Sequence, residues 1–204
     1  MRKLIMLAIF IACAAPFTFA QTDYNKVEFY GGFSHNRVDT GISNNDPEFD
    51  DIIDEREGFN GFNTSITGNV SRYVGIKGDY AFHRKTFDVT TGIAGVPTFG
   101  VRSDLHNLLG GVQIKDNSKE TKVKPFAHFM AGVAHATFDV TNVPAALGTF
   151  DDSETGFAAA IGGGIDFRVS PRVDIRAFQF DYNPTRLGDE TQHNFRVGVG
   201  IVIH

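Results

Sequence analysis

The last eleven residues, 194–204 (NFRVGVGIVIH), place Phe195, Val197, Val199, Ile201 and Ile203 on one parity and Asn194, Arg196, Gly198, Gly200, Val202 and His204 on the other. A period of two marks a β-strand with one apolar face. The opposite face is unusual, because an arginine and two glycines occupy mid-strand positions where a water-facing sheet favours Thr, Lys or Glu. Small and charged side chains suit a narrow, hydrated interior.

Earlier segments repeat the pattern. In 26–35, Val27, Phe29, Gly31 and Phe33 alternate with Glu28, Tyr30, Gly32 and Ser34. In 58–70, Phe62, Thr64, Ile66, Gly68 and Val70 alternate with Gly61, Asn63, Ser65, Thr67 and Asn69. In 74–83, Val74, Ile76, Gly78, Tyr80 and Phe82 oppose Gly75, Lys77, Asp79, Ala81 and His83. The run 105–114 puts Leu108, Gly110, Val112 and Ile114 on the apolar side, and its other face (Leu105, Asn107, Leu109, Gly111, Gln113) is less polar than elsewhere. In 124–137, Ala127, Phe129, Ala131 and Val133 oppose His128, Met130 and Gly132. The clearest alternation is 156–169, with Phe157, Ile161, Ile165 and Phe167 against Ala158, Ala160, Asp166 and Arg168. In 173–182, Asp174 and Arg176 share one parity, whereas Gln179 and Asp181 share the other. One inserted residue near 176–178 returns Asp181 to the polar face, so the pattern predicts a β-bulge there.

These are eight runs of roughly ten residues, the length that a tilted membrane strand needs. The connections alternate long (36–57, 85–102, 139–155, 183–192) and short (71–73, 115–123, 170–172). An antiparallel barrel with long loops at one end and tight turns at the other requires that asymmetry. The expected fold is therefore all-β, an eight-stranded antiparallel up-and-down transmembrane β-barrel, with 194–204 closing against 26–35 so that no edge is left open.

Composition narrows the function classes. The first twenty residues carry Arg2 and Lys3, an apolar run from Leu4 to Ala15, then Pro16, Thr18 and Ala20. That is the form of a cleavable export signal, so residues 1–20 are expected to be a signal peptide and 21–204 the barrel domain. Cys13 is the single cysteine, and its removal excludes disulfides, cysteine zinc sites and cysteine nucleophiles from the mature chain. Removing Arg2 and Lys3 leaves seventeen bases against twenty-four acids, a net charge of −7. An acidic exported chain is a poor nucleic-acid binder, and none is expected as a partner.

The chain resembles the small eight-stranded outer-membrane β-barrel family, the OmpA-like or OmpX-like group, over its whole mature length. The signal peptide, GNVSRYVGIKGDYAF, GGGIDFRVSPRVDIRAF and NFRVGVGIVIH carry the resemblance. It implies an integral protein of the cell outer membrane, in contact with outer-membrane lipid and lipopolysaccharide and inserted by the barrel-assembly machinery. It also implies that loops 36–57, 85–102, 139–155 and 183–192 face outward, where an extracellular ligand would meet them. Two departures stand out: no peptidoglycan-binding module is expected after His204, and the chain ends in Ile203-His204 rather than in an aromatic residue.

The inward parity gathers Glu28, Lys77, Asp79, Asp166, Arg168, Asp174, Arg176, Asp181 and Arg196, five acids and four bases. Near-balanced charge in so narrow a bore predicts a salt-bridge network that plugs it, because side chains fill an eight-stranded lumen. The leading expectation is a structural or interaction barrel displaying its four loops, with no cofactor and no catalytic residues. A narrow porin-like channel is the alternative. A lipid-modifying barrel enzyme would need a serine–histidine pair at the outer rim, and none stands out. The histidines do not fall at metal-ligand spacing, so no metal is expected. The acidic run Asp46, Glu48, Asp50 and Asp51 lacks the order of a calcium loop. A soluble ligand-binding barrel of lipocalin type would need an apolar interior and a polar exterior, the reverse of this charge placement.

Overall fold

The computed structural model describes residues 23–39, 56–89, 99–141, 151–188 and 190–204. Segment 1–20, expected to be a signal peptide, and the acidic run from Asp46 to Asp51 lie outside the described residues. Eight strands follow in chain order: β1 (Val27–Asp39), β2 (Arg56–Asn69), β3 (Val74–Val89), β4 (Phe99–Lys115), β5 (Val123–Thr141), β6 (Asp151–Ser170), β7 (Val173–Leu187) and β8 (Glu190–Ile203). Each pairs antiparallel with its neighbours in sequence, and β1 also pairs with β8, closing the barrel. Closure runs from Phe29 opposite Ile203 to Arg37 opposite Phe195.

Side-chain direction follows the alternation. Phe33, Ile76, Leu108, Phe129, Ile161 and Ile201 are exposed on the outer wall, whereas Lys77, Asp79, Asp166, Asp181 and Arg196 are buried inside. A surface carrying this much contiguous apolar area is unstable in water and is matched to hydrocarbon. No described helix is long and apolar enough to cross a membrane; the strands do so.

The bulge on β7 is present. Ile165 pairs with Phe178 and Asp166 with Arg176, so Ala177 has no partner on β6, and the β8 register shifts between Arg176 and Gln179. Ala177 and Phe178 both face outward, which returns Gln179 and Asp181 to the interior.

The strands are longer than expected. They run from 13 residues in β1 to 20 in β6, and they absorb much of what the sequence pattern assigns to loops. Polar residues near the loop end no longer alternate with apolar ones, yet their backbones continue the ladder, as in Lys85 opposite Ser103 and Asp139 opposite Asp151. The largest correction concerns 183–192. This is strand rather than a long loop, with Asn183 opposite Asn194 and Leu187 opposite Glu190. Only two residues separate β7 from β8, the first being Gly188 at φ 62°. A side chain is strained in that left-handed conformation, so glycine suits a tight hairpin.

At the opposite end, the turn after β2 is held by Ser71, whose Oγ accepts from Val74 N at 3.1 Å. Arg72 reaches from this turn to Asp116, donating from Nε at 2.8 Å and Nη2 at 3.0 Å. Tyr24 bridges to Ser118, so the segment before β1 is tied to the β4–β5 connection.

Candidate functional site

Every strand sends at least one polar side chain to a network in the half of the bore nearest the turns. At its base, Lys115 Nζ lies 2.8 Å from Glu28 Oε2 and 2.9 Å from Asp166 Oδ2. Lys124 Nζ is 2.7 Å from Asp174 Oδ2, and His204 Nε2 approaches the same oxygen at 2.8 Å. The other ring nitrogen of His204 is 3.4 Å from Glu28 Oε1. Arg168 sits at the edge of this group, with Nε 3.6 Å from Asp174 Oδ1.

The next layer centres on Arg176. Its guanidinium donates from Nε and Nη2 to the two oxygens of Asp166, at 2.8 and 3.0 Å, and from Nη1 to Gln179 Oε1 at 2.7 Å. The rings of Tyr30 and Phe126 flank it, their centroids 4.2 and 4.1 Å from Cζ. A planar guanidinium forked on a carboxylate and covered by two aromatic faces is the arrangement that arginine tolerates best without water. Glycines make room for the rings. A Cβ at Gly164 would come within 3.0 Å of Phe126 Cε1, and one at Gly200 within 2.9 Å of Tyr30 Cε2, besides striking the neighbouring strand's backbone.

Above it lies Arg196, which donates to Asp181 Oδ2 from Nε at 2.8 Å and Nη2 at 2.7 Å, and to Asp79 Oδ1 from Nη1 at 3.0 Å. Asn63 Nδ2 donates to the second oxygen of Asp79 at 3.0 Å. Lys77 Nζ is 3.8 Å from that same oxygen, and His128 Nε2 is 2.9 Å from Asp181 Oδ1. Gln179 Nε2 donates to Asp181 Oδ2 at 2.7 Å and so joins this layer to the Arg176 layer.

Eight of the nine residues that the sequence pattern places inside, all but Arg168, are no more than 2% exposed. The pattern misses Lys115, which falls in the connection 115–123, and Lys124, the first residue of the run 124–137; they share the inward parity of Gln113 and His128. With them, five buried acids (Glu28, Asp79, Asp166, Asp174, Asp181) meet five buried bases (Lys77, Lys115, Lys124, Arg176, Arg196). Such balance is needed, because an unpaired ion removed from water costs several kcal/mol. The pattern also leaves the role of the terminal histidine open. His204 shares the parity of Arg196 and is turned inward to the base of the network, so the last outward side chain is Ile203.

The bore changes character towards the loop end. There the interior is apolar on the β4 to β6 side, where Leu105, Leu109, Met130, Ala134, Ala136, Ala158 and Ala160 form one buried cluster with Val38 and Phe59. A cavity of about 140 Å³ opens above the cluster. Between the two regions His83 Nε2 lies 2.9 Å from Ser34 Oγ, the serine–histidine contact that the sequence pattern does not reveal. Both residues are fully buried. Among the described residues, no group of three or more His, Cys, Asp or Glu is placed to hold a metal ion.

Comparison with solved structures shows the same fold. The chain superposes on Ail, the attachment invasion locus protein of Yersinia pestis, with a TM-score of 0.56 at 16% identity, covering 87% of this chain and 97% of that one. Ail in complex with the heparin analogue sucrose octasulfate gives 0.54 at 18% identity with the same coverage. Neisserial surface protein A gives 0.59 at 12% identity, covering 89% and 99%. No curated protein matches the sequence. Residues 5–202 match the outer membrane protein beta-barrel domain, and with that match, the closed eight-stranded barrel and its apolar outer wall, the chain belongs to this family of outer-membrane barrels.

Proposed function

We propose that the protein is a non-conducting, non-catalytic barrel of the outer membrane that serves as a structural and interaction platform. The carrying observation is the closed network: ten charged side chains, drawn from all strands but β2, are each no more than 2% exposed. An ion has no hydrated path beside them, and displacing one would strand its partners in a dry interior. The membrane wall serves lipid and lipopolysaccharide, and the outward end serves an extracellular partner. Segment 1–20 acts as the export signal that brings the chain to the barrel-assembly machinery.

Charge bears on the partner. Residues 40–55 contain Asp46, Glu48, Asp50, Asp51, Asp54 and Glu55 and no lysine or arginine. A polyanion of the kind bound to Ail is disfavoured next to such a segment; a cationic or neutral surface suits it better. With 183–192 folded as strand and hairpin, the outward connections available for contact are 40–55, 90–98 and 142–150.

Planar-bilayer recording tests the platform reading. The expected result is no discrete conductance from the purified, heat-modifiable barrel. Reproducible unitary openings would overturn it in favour of a narrow porin.

A further inference from the structure

The wall reverses polarity along the barrel axis. Within the apolar belt, lipid-facing Ile76, Val112 and Phe129 back onto the charged interior. Nearer the loop end the outer face is polar: Arg84 forks onto Asp104 with two contacts of 2.6 Å, Arg102 pairs with Asp139, and His35 Nδ1 meets Asn60 Oδ1 at 2.8 Å. At this level the inner face carries Val38, Phe59, Phe87, Leu105, Ala136 and Leu187, with Ser103 and Thr185 buried near them and Lys85 paired with Glu57 on the parity of Phe87 and Phe59. Polar outside and apolar inside is the architecture of soluble barrels that carry small ligands, and an eight-stranded bore holds one such molecule.

The cavity there is about 140 Å³. One small inward side chain, Ala136 on β5, lines it, and Ala134, Ala158 and Ala160 belong to the buried cluster that Ala136 shares. A space of roughly 150 Å³ lined by aliphatic and aromatic side chains stays dry and accepts a benzene-sized guest. Phe59 and Phe87 meet edge to face, with centroids 6.3 Å apart, and Lys85 Nζ lies over the Phe87 ring, 4.9 Å from its centroid, so the pair offers aromatic surface that packs well on another ring with a cation on one side of Phe87. Asp39, Ser103 and Gln192 are the polar residues of the lining; the Asp39 carboxylate accepts from His193 N at 3.2 Å, and a few such points are enough to orient one hydroxyl or carbonyl group. Leu109 and Met130 belong to the buried cluster beneath, and the ion network closes the bore below them, so a guest enters from the outer side and leaves the same way.

We infer that the outward third of the bore is a binding cup for a small, uncharged, single-ring aromatic molecule of the phenol type. This is independent of whether the ion network conducts. The test uses the full-length barrel in lipid nanodiscs, with p-cresol as probe and glucose as control, followed by methyl NMR of Val38, Leu105 and Leu187. The three methyl sets are expected to shift with a saturable dependence on p-cresol and not to respond to glucose. Ala136→Phe, which fills the cup, is expected to weaken binding at least tenfold. Leu105→Ala, which enlarges it, is expected to shift preference at least tenfold towards 2-naphthol, and this variant decides the matter if Ala136→Phe fails to fold. Linear, unsaturable shifts that are equal in wild type and variants, the sign of partition into lipid alone, would overturn the proposal.

Discussion

The two halves of the bore solve opposite problems with the same eight strands. In the turn half the outer wall meets hydrocarbon, so the polar residues turn inward and must satisfy one another, as Arg176 and Asp166 do at 2.8 and 3.0 Å. In the loop half the outer wall carries ion pairs such as Arg84 with Asp104, and the interior can be apolar. What changes is the medium outside; the backbone ladder continues from one half into the other. The lesson is that a strand's inner face is set by what its outer face must touch, and a strand long enough to leave the membrane can change its answer partway.

The difference can be broken most sharply at Arg196. Arg196→Ala leaves Asp79 and Asp181 facing each other without the cation that joins them, and breaking a buried pair costs about 3–5 kcal/mol. Urea unfolding in lipid vesicles is expected to show that loss. A second variant separates charge from packing. Lys77→Met, Asp79→Leu, Asp181→Leu and Arg196→Met together remove two acids and two bases, so no net ion is stranded, and replacing buried ions by apolar groups of like volume is often neutral. The fourfold variant is expected to recover more than half of the stability lost in Arg196→Ala. A variant less stable than the single substitution would show that the ions contribute more than mutual compensation.

These outcomes bear on what the sequence reveals. Parity places Lys77, Asp79 and Arg196 inside because apolar neighbours on both sides make the alternation unmistakable, and the misplaced parity of Asp181 is enough to put a bulge near 176–178, which the structure places at Ala177. Lys115 escapes because at the end of its strand a charge looks like a turn, and Lys124 because it opens its run, where the charged connection before it gives the alternation no direction. The apolar mouth escapes for a related reason. Leu105 and Leu109 oppose Leu108 across one strand, so both faces read as apolar and the period carries no direction. Strand ends beyond the belt are illegible because Thr185 or Gln192 is as compatible with a loop as with a ladder; only backbone pairing distinguishes them.

The apolar half is expected to respond more mildly. Leu105→Ala removes a buried side chain that already borders open space, so the loss falls at the lower end of the range for such truncations, about 2 kcal/mol. The same unfolding assay measures it beside Arg196→Ala. A cost equal to or above that of the arginine variant would reverse the ranking of the two halves and show that the mouth, rather than the ion network, anchors the barrel.

The smallest effect lies outside both halves, at the tight turns. The Arg72 guanidinium, forked onto Asp116, holds that carboxyl well below the usual carboxylate range, with the Thr121 hydroxyl and the Ser118 amide adding to the effect. Asp116 in turn holds Arg72 above its ordinary value. A carboxyl with a lowered pKa in the folded state binds fewer protons there than in the unfolded chain. Its stabilisation is therefore fully present above the ordinary carboxylate range and declines as pH falls through that range towards the lowered folded value. Because the pair is partly exposed, water and salt screen it, and the effect on unfolding is slight. The clearest readout is the side-chain carboxyl carbon of Asp116 followed by NMR from pH 7 downward. In Arg72→Ala its titration midpoint is expected to move up towards the ordinary value, and the stability difference between wild type and Asp116→Asn is expected to shrink as pH falls. An unchanged midpoint in Arg72→Ala would assign the lowered value to Thr121 and the Ser118 amide, leaving the β2–β3 turn joined to the β4–β5 connection by backbone contacts such as Asn117 N to Arg72 O at 2.9 Å.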